Sequence, residues 1–181
     1  SLVNDVLSGN RLLALVTSRD PEIEQPALSD LYQIGTAAVV HRMLRMPDGS
    51  LRVLVQGVSR VRIGRQVQDE PYLVAEVTEV ADVVEESTEL EALVRTVQSS
   101  FARLIELVPY LPQELQIAVA NIDDPAVLSY LVASSVRMQT EDKQGLLEEV
   151  DVAARLHELV RLLGRELEVV ELGSKIQSQV A

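Results

Sequence analysis

Histidine, lysine and clustered carboxylates are the side chains with which proteins most often hold metals, move protons or grip phosphate, and this chain spaces them for none of those tasks. His41 and His157 lie far apart, and His157 stands beside Glu158 with no second imidazole at metal-ligand spacing. The only lysines are Lys143, in EDKQG, and Lys175, in GSKIQ. Neither closes a Gly-rich loop followed by Ser or Thr, whose amides and ammonium would hold a nucleotide's phosphates. Glu85, Glu86, Glu89 and Glu91 are crowded, but without the interleaved oxygen ligands of a calcium loop they read as a solvated stretch. Cysteine is absent, which removes disulfides and thiolate metal sites. The pattern predicts no catalytic residue, no cofactor-binding residue and no metal ligand.

What remains is chemistry of contact. Met43, Leu44, Met46 and Pro47 put apolar, adaptable side chains at or near a turn, where water ordinarily favours polar ones. They are the candidate binding residues, against the plainer reading that Met43 and Leu44 cap a β-core. Around them Arg42, Arg45, Arg52, Arg60, Arg62 and Arg65 make the region locally basic, with Asp48 the nearby acid. Nucleic acid is disfavoured as their target, because aromatics make up 3% of the chain and offer almost no stacking platform. A two-residue period places Arg52, Arg60 and Arg62 on a solvent face, provided that the register holds through Gly57.

The elements that carry these residues are legible. Pro47, Asp48 and Gly49 form a turn between two strand patterns running from Ile34 to Ile63. Leu51, Val53 and Val55 alternate with Arg52 and Gln56, Leu54 is the exception, and Gly57 marks a bulge or bend. Before the hairpin, Leu2 to Leu7 reads as a helix end stopped by Gly9 and Leu12 to Val16 as a buried strand. Arg19 to Leu31 reads as a loop in which Ser29 caps a brief helical turn. After it, Tyr72 to Val80 is a strand burying either Leu73, Ala75 and Val77 or Tyr72, Val74 and Val80.

From Thr88 the period changes from two to between three and four. Thr88 with Glu91 forms a capping box for a helix whose face is Leu90, Leu93, Val94, Val97, Phe101, Leu104 and Leu107. Helices starting at Pro112, at Asp124 with Pro125 and near Thr140 follow, and a long one begins at about Asp151. The fold class is therefore α+β: a small antiparallel β-domain, residues 1–82, followed by an all-α helical bundle, residues 83–181. The last helical pattern meets Ala181 without a stop signal, which suggests a piece of a longer protein.

At 181 residues and 47% hydrophobic, the chain can remove roughly 70% of its unfolded surface from water. A net charge of -12 argues against general affinity for nucleic acid or anionic membrane. No apolar run approaches the roughly 20 residues that span a bilayer, and SLVNDVLSGNR is no signal peptide. The expected location is the cytoplasm.

In this order the segments resemble the amino-terminal domain of the Lon family of ATP-dependent serine proteases. The carriers are RDPEIEQPALSDLYQIGTAAVV (19–40), RMPDGSLRVLVQGVSRVRI (45–63), DDPAVLSYLVASSV (123–136) and ELGSKIQSQV (171–180). The resemblance implies a partly closed, PUA-like β-domain and a helical bundle whose last helix leads towards an ATPase. It also implies a non-catalytic role: recognising unfolded or damaged proteins and supporting assembly of a hexamer that works in protein quality control. ATP and magnesium would then be used by the parent protein and not by this stretch. One departure stands out, since the family has a further strand and a proline-containing turn before the segment matching Leu2 to Leu7, and an unpaired sheet edge is expected without them. The competing readings are a structural or regulatory partner-binding module and a free-standing relative without protease.

Overall fold

A computed structural model describes residues 1–181, which divide into two compact units, Ser1–Ala81 and Asp82–Ala181. In the first, helix α1 (Leu2–Ser8) precedes four strands: β1 (Leu12–Leu15), β2 (Ile34–Arg45), β3 (Leu51–Gln68) and β4 (Val74–Glu79). They form one open antiparallel sheet in the order β1-β2-β3-β4. Its enclosed centre is small, consisting of Ile34, Ala38, Val40 and Val61. β1 is an edge strand and not the buried one expected, with Leu12 and Leu15 exposed, because it pairs with β2 alone and nothing covers its other side. Gly35 lets β1 come close: a Cβ there would lie 2.6 Å from the Leu15 carbonyl oxygen.

The short turn before β2 is a 3-10 helix, Leu28–Asp30, and Ser29 is not its cap. The Asp30 carboxylate accepts the Ala27 N–H at 2.8 Å instead. Two irregularities bend the long hairpin. Val58 on β3 and His41 on β2 are each left without a partner where the register shifts. A one-residue slip exchanges the two faces of a strand. Past Val58, Arg60 consequently pairs with Thr36 on the side of Ala38 and Val40 and is only 6% exposed, whereas Arg52 and Arg62 are exposed. The register does not hold through Gly57, and Arg60 leaves the solvent face. Its guanidinium donates to the Val80 carbonyl at 3.2 Å.

The second unit comprises α2 (Thr88–Leu107), α3 (Glu114–Ala120), α4 (Pro125–Ser135), α5 (Thr140–Glu148) and α6 (Val152–Val180). Ser87, not Thr88, caps α2 by accepting the Leu90 N–H at 3.0 Å, which moves the start one residue from the expected capping box. Asp124 caps α4 and Asp151 caps α6, each accepting N–H groups from the first turn. α2 buries Leu90, Leu93, Val97, Phe101, Leu104 and Ile105. α6 answers with Val152, Leu156, Leu159, Leu162 and Leu163. α+β is the fold class, with a sheet that does not close.

Candidate functional site

The hairpin turn is built as its residues require. Met46 accepts the Gly49 N–H at 3.0 Å across Pro47 and Asp48, Gly49 takes the left-handed conformation at φ 85°, and the Met46 N–H donates to Ser50 at 2.9 Å. Asp48 accepts both the Ser50 hydroxyl, at 2.6 Å, and the Ser50 N–H, at 2.9 Å. These bonds, the hydroxyl's first, hold its carboxyl below the usual aspartate range.

Beyond the turn, the arm lacks neighbours. β1 pairs with β2 only at Thr36–Val39, and β4 pairs with β3 only from Val61 onward. Arg42–Arg45 and Leu51–Leu54 therefore form a two-stranded projection with no further strand beside either edge. Its faces follow from the pairs Arg42↔Leu54, Met43↔Val53, Leu44↔Arg52 and Arg45↔Leu51. Met43, Arg45, Leu51 and Val53 continue the side of Val40 and Val55, while Arg42, Leu44, Arg52 and Leu54 share the opposite side. On that opposite side Leu44 is 53% and Leu54 62% exposed.

Of the four residues named from the turn, Leu44 and Pro47 are exposed and Met43 and Met46 are half-buried. Leu44 and Met43 point to different faces, so the four do not form one patch. Leu54, the break in the alternation of β3, is the residue that joins Leu44. Arg42, Arg45 and Arg52 are exposed and make no ion pair, whereas Arg65 meets Glu76 at 2.6 Å.

The residues considered for chemistry are otherwise engaged. His41 shares a hydrogen bond with Gln56 at 2.8 Å, and His157 one with Glu89 at 2.9 Å. No group of three His, Cys, Asp or Glu side chains is placed to hold a metal. Lys143 lies within α5 and Lys175 within α6, neither at the loop-to-helix turn that would present amides to phosphate.

Arg155 is the residue that sequence reasoning misses. Just 1% exposed, it pairs with Asp82 at 2.5 Å, donates to the Ser129 hydroxyl at 3.2 Å, and reaches the carbonyls of Leu146 and Glu149. Its guanidinium lies 4.7 Å from the centre of the Tyr130 ring, and the Tyr130 hydroxyl donates to the same Asp82 carboxylate. The available signal is its position, three residues after Val152 and four before Leu159 on the buried stripe.

Further along α6 the stripe changes character. Val169, Leu172, Ile176 and Val180 recur at helical spacing and are exposed. At its near end a shallow groove of about 360 Å³, lined by Val136, Met138 and Leu162, opens beside Val169.

Comparison with known proteins bears on the family of the chain. The family model described as the ATP-dependent protease La (LON) substrate-binding domain matches residues 1–165. Lon protease of Dictyoglomus thermophilum is 38% identical over 179 residues, and Lon protease 1 of Herpetosiphon aurantiacus 39% over 183. Each alignment covers 99% of this chain and 22% of the relative, so the chain spans about a fifth of those proteins. Among solved structures, the N-terminal domain of a Mycobacterium avium complex Lon protease superposes with a TM-score of 0.66 at 20% identity, covering 84% of this chain and 90% of that one. The Lon N-terminal domain protein of Xanthomonas campestris gives 0.60 at 19%, covering 88% and 80%. With the substrate-binding model spanning most of its length and relatives of 38% identity aligned along nearly all of it, the chain belongs to the Lon protease family and matches that family's substrate-binding domain.

Proposed function

We propose that this chain captures unfolded or damaged polypeptides for a Lon-type ATP-dependent protease of the cytoplasm, and that it helps to assemble the protease hexamer during quality control and stress. The observation that carries the capture reading is the projecting arm, where Leu44, Leu54 and Pro47 are exposed and Met43 and Met46 half-buried, leaving apolar surface open to a partner. Such a contact is weak, with Kd roughly micromolar to millimolar, or about 4 to 8 kcal/mol. Several copies around one ring would make it effective through raised local concentration. ATP, magnesium and peptide-bond cleavage belong to the rest of the parent protein in this reading. Membrane and nucleic acid are not its partners.

The test is a titration of the chain with a permanently unfolded protein and with the same protein folded. Binding to the unfolded form alone is expected, and it should weaken when Met43, Leu44, Met46 and Pro47 are replaced by Ser. Equal affinity for both forms, or no change on replacement, would count against capture. A purely structural or regulatory module is the alternative, and it would bind neither form.

A further inference from the structure

The solvent face of the arm is checkered. Arg42 stands opposite Leu54 and Leu44 opposite Arg52, so each leucine has one cation across from it and another two residues along its own strand, and the two leucines are diagonal to each other. Directly opposed side chains on one face have Cβ atoms about 5 Å apart and diagonal ones about 7 Å. All four side chains are exposed, and neither arginine has a carboxylate partner. Arg45 adds a third exposed cation to the arm, on its other face, and Asp48, the one acid of the loop, is already occupied by Ser50. This small cationic surface sits in a chain whose net charge is -12.

From this charge complementarity we infer that the arm selects extended segments in which apolar side chains are flanked by Asp or Glu. The inference rests on the capture reading and names the class of substrate segment within it. Two leucines take the apolar side chains, and the unpaired guanidiniums, planar donors suited to carboxylates, take the flanking acids. An apolar surface alone would accept any greasy segment; the arginines make the choice directional.

The long-range field of the protein predicts the reverse. A chain with an excess of acids attracts basic peptides, so generic electrostatics would favour flanking Lys and Arg. Edge protection is the other explanation for arginines on an uncovered arm, since charge there hinders strand-to-strand aggregation. It needs charge of either sign and predicts no preference.

The experiment measures anisotropy of three labelled peptides with one apolar core, flanked by Asp and Glu, by Ser and Gln, or by Lys and Arg, against the 181-residue chain. The acid-flanked peptide should bind roughly three- to tenfold more tightly than the neutral one, and the basic one least well. Charge reversal at Arg42→Glu with Arg52→Glu should invert that order, while Leu44→Ser with Leu54→Ser should weaken all three peptides without lowering the melting temperature. Tightest binding of the basic peptide, or equal binding of the acidic and neutral ones, overturns the inference and leaves general capture standing. Failure of the unsubstituted chain to bind any of the three peptides would overturn capture itself. A thymidine oligonucleotide binding as tightly as the acid-flanked peptide would show that the cations accept any polyanion, and would also overturn it.

Discussion

A guanidinium sealed from water is tolerable only when its charge and its donors are answered, and Arg155 is answered by one carboxylate, one hydroxyl, two carbonyls and the face of one ring. Removing one member of such a set leaves the others buried without partners. Arg155→Ala should therefore lower the stability of the helical unit by about 3 to 5 kcal/mol, read from the urea midpoint of its helical circular dichroism. Arg155→Met keeps the stem but not the donors, and should recover only part of that loss. Asp48 gives a pH prediction. Its folded carboxyl is held low by Ser50, so its contribution is complete above the ordinary aspartate pKa and disappears as the pH falls through the lower folded value. Carboxyl NMR should find Asp48 titrating below an unstructured aspartate, and Ser50→Ala should move it back up.

Among the elements, α6 serves two ends. Its first part supplies Leu156, Leu159 and Leu163, all fully enclosed, so deleting residues 151–181 would unfold the helical unit rather than report on assembly. The exposed stripe is the place to probe self-association. Val169→Ser, Leu172→Ser and Ile176→Ser together should lower the sedimenting mass if the chain self-associates through α6, leaving its melting temperature unchanged. An unaltered mass would remove α6 from assembly.

The elements also show where sequence suffices. Pro47, Asp48 and Gly49 each demand one backbone state, so the residue types alone specify the turn. Ser87 and Thr88 are both competent caps, and periodicity alone cannot choose a phase between them. Arg60 departs from its expected face because a bulge is a property of two paired strands, and one strand's pattern does not contain it. Arg155 is inconspicuous because an arginine on an apolar stripe resembles one extending its head to solvent; the partners that hold it come from three other segments.

At the scale of the molecule, apolar burial is unequally shared. Eighteen of the buried hydrophobic side chains cluster in the helical unit, whereas the sheet unit encloses Ile34, Ala38, Val40 and Val61. Hydrophobic stabilisation follows buried apolar area, so the sheet unit is the weaker of the two. Heating should produce two transitions, with hydrogen exchange protecting α2 and α6 longest and β1 least. Arg155→Ala should displace the upper transition alone; movement of both would mean one cooperative unit.

Arg155 also imposes a sequence of events on synthesis. Asp82, Ser129, Leu146 and Glu149 all leave the ribosome before the residue that gathers them. Until translation has passed α6, the growing bundle has neither its clasp nor the leucines of its last helix. Commitment of the helical half must accordingly wait until that last helix emerges, and a nascent polypeptide halted short of residue 155 remains exposed to proteases and chaperones.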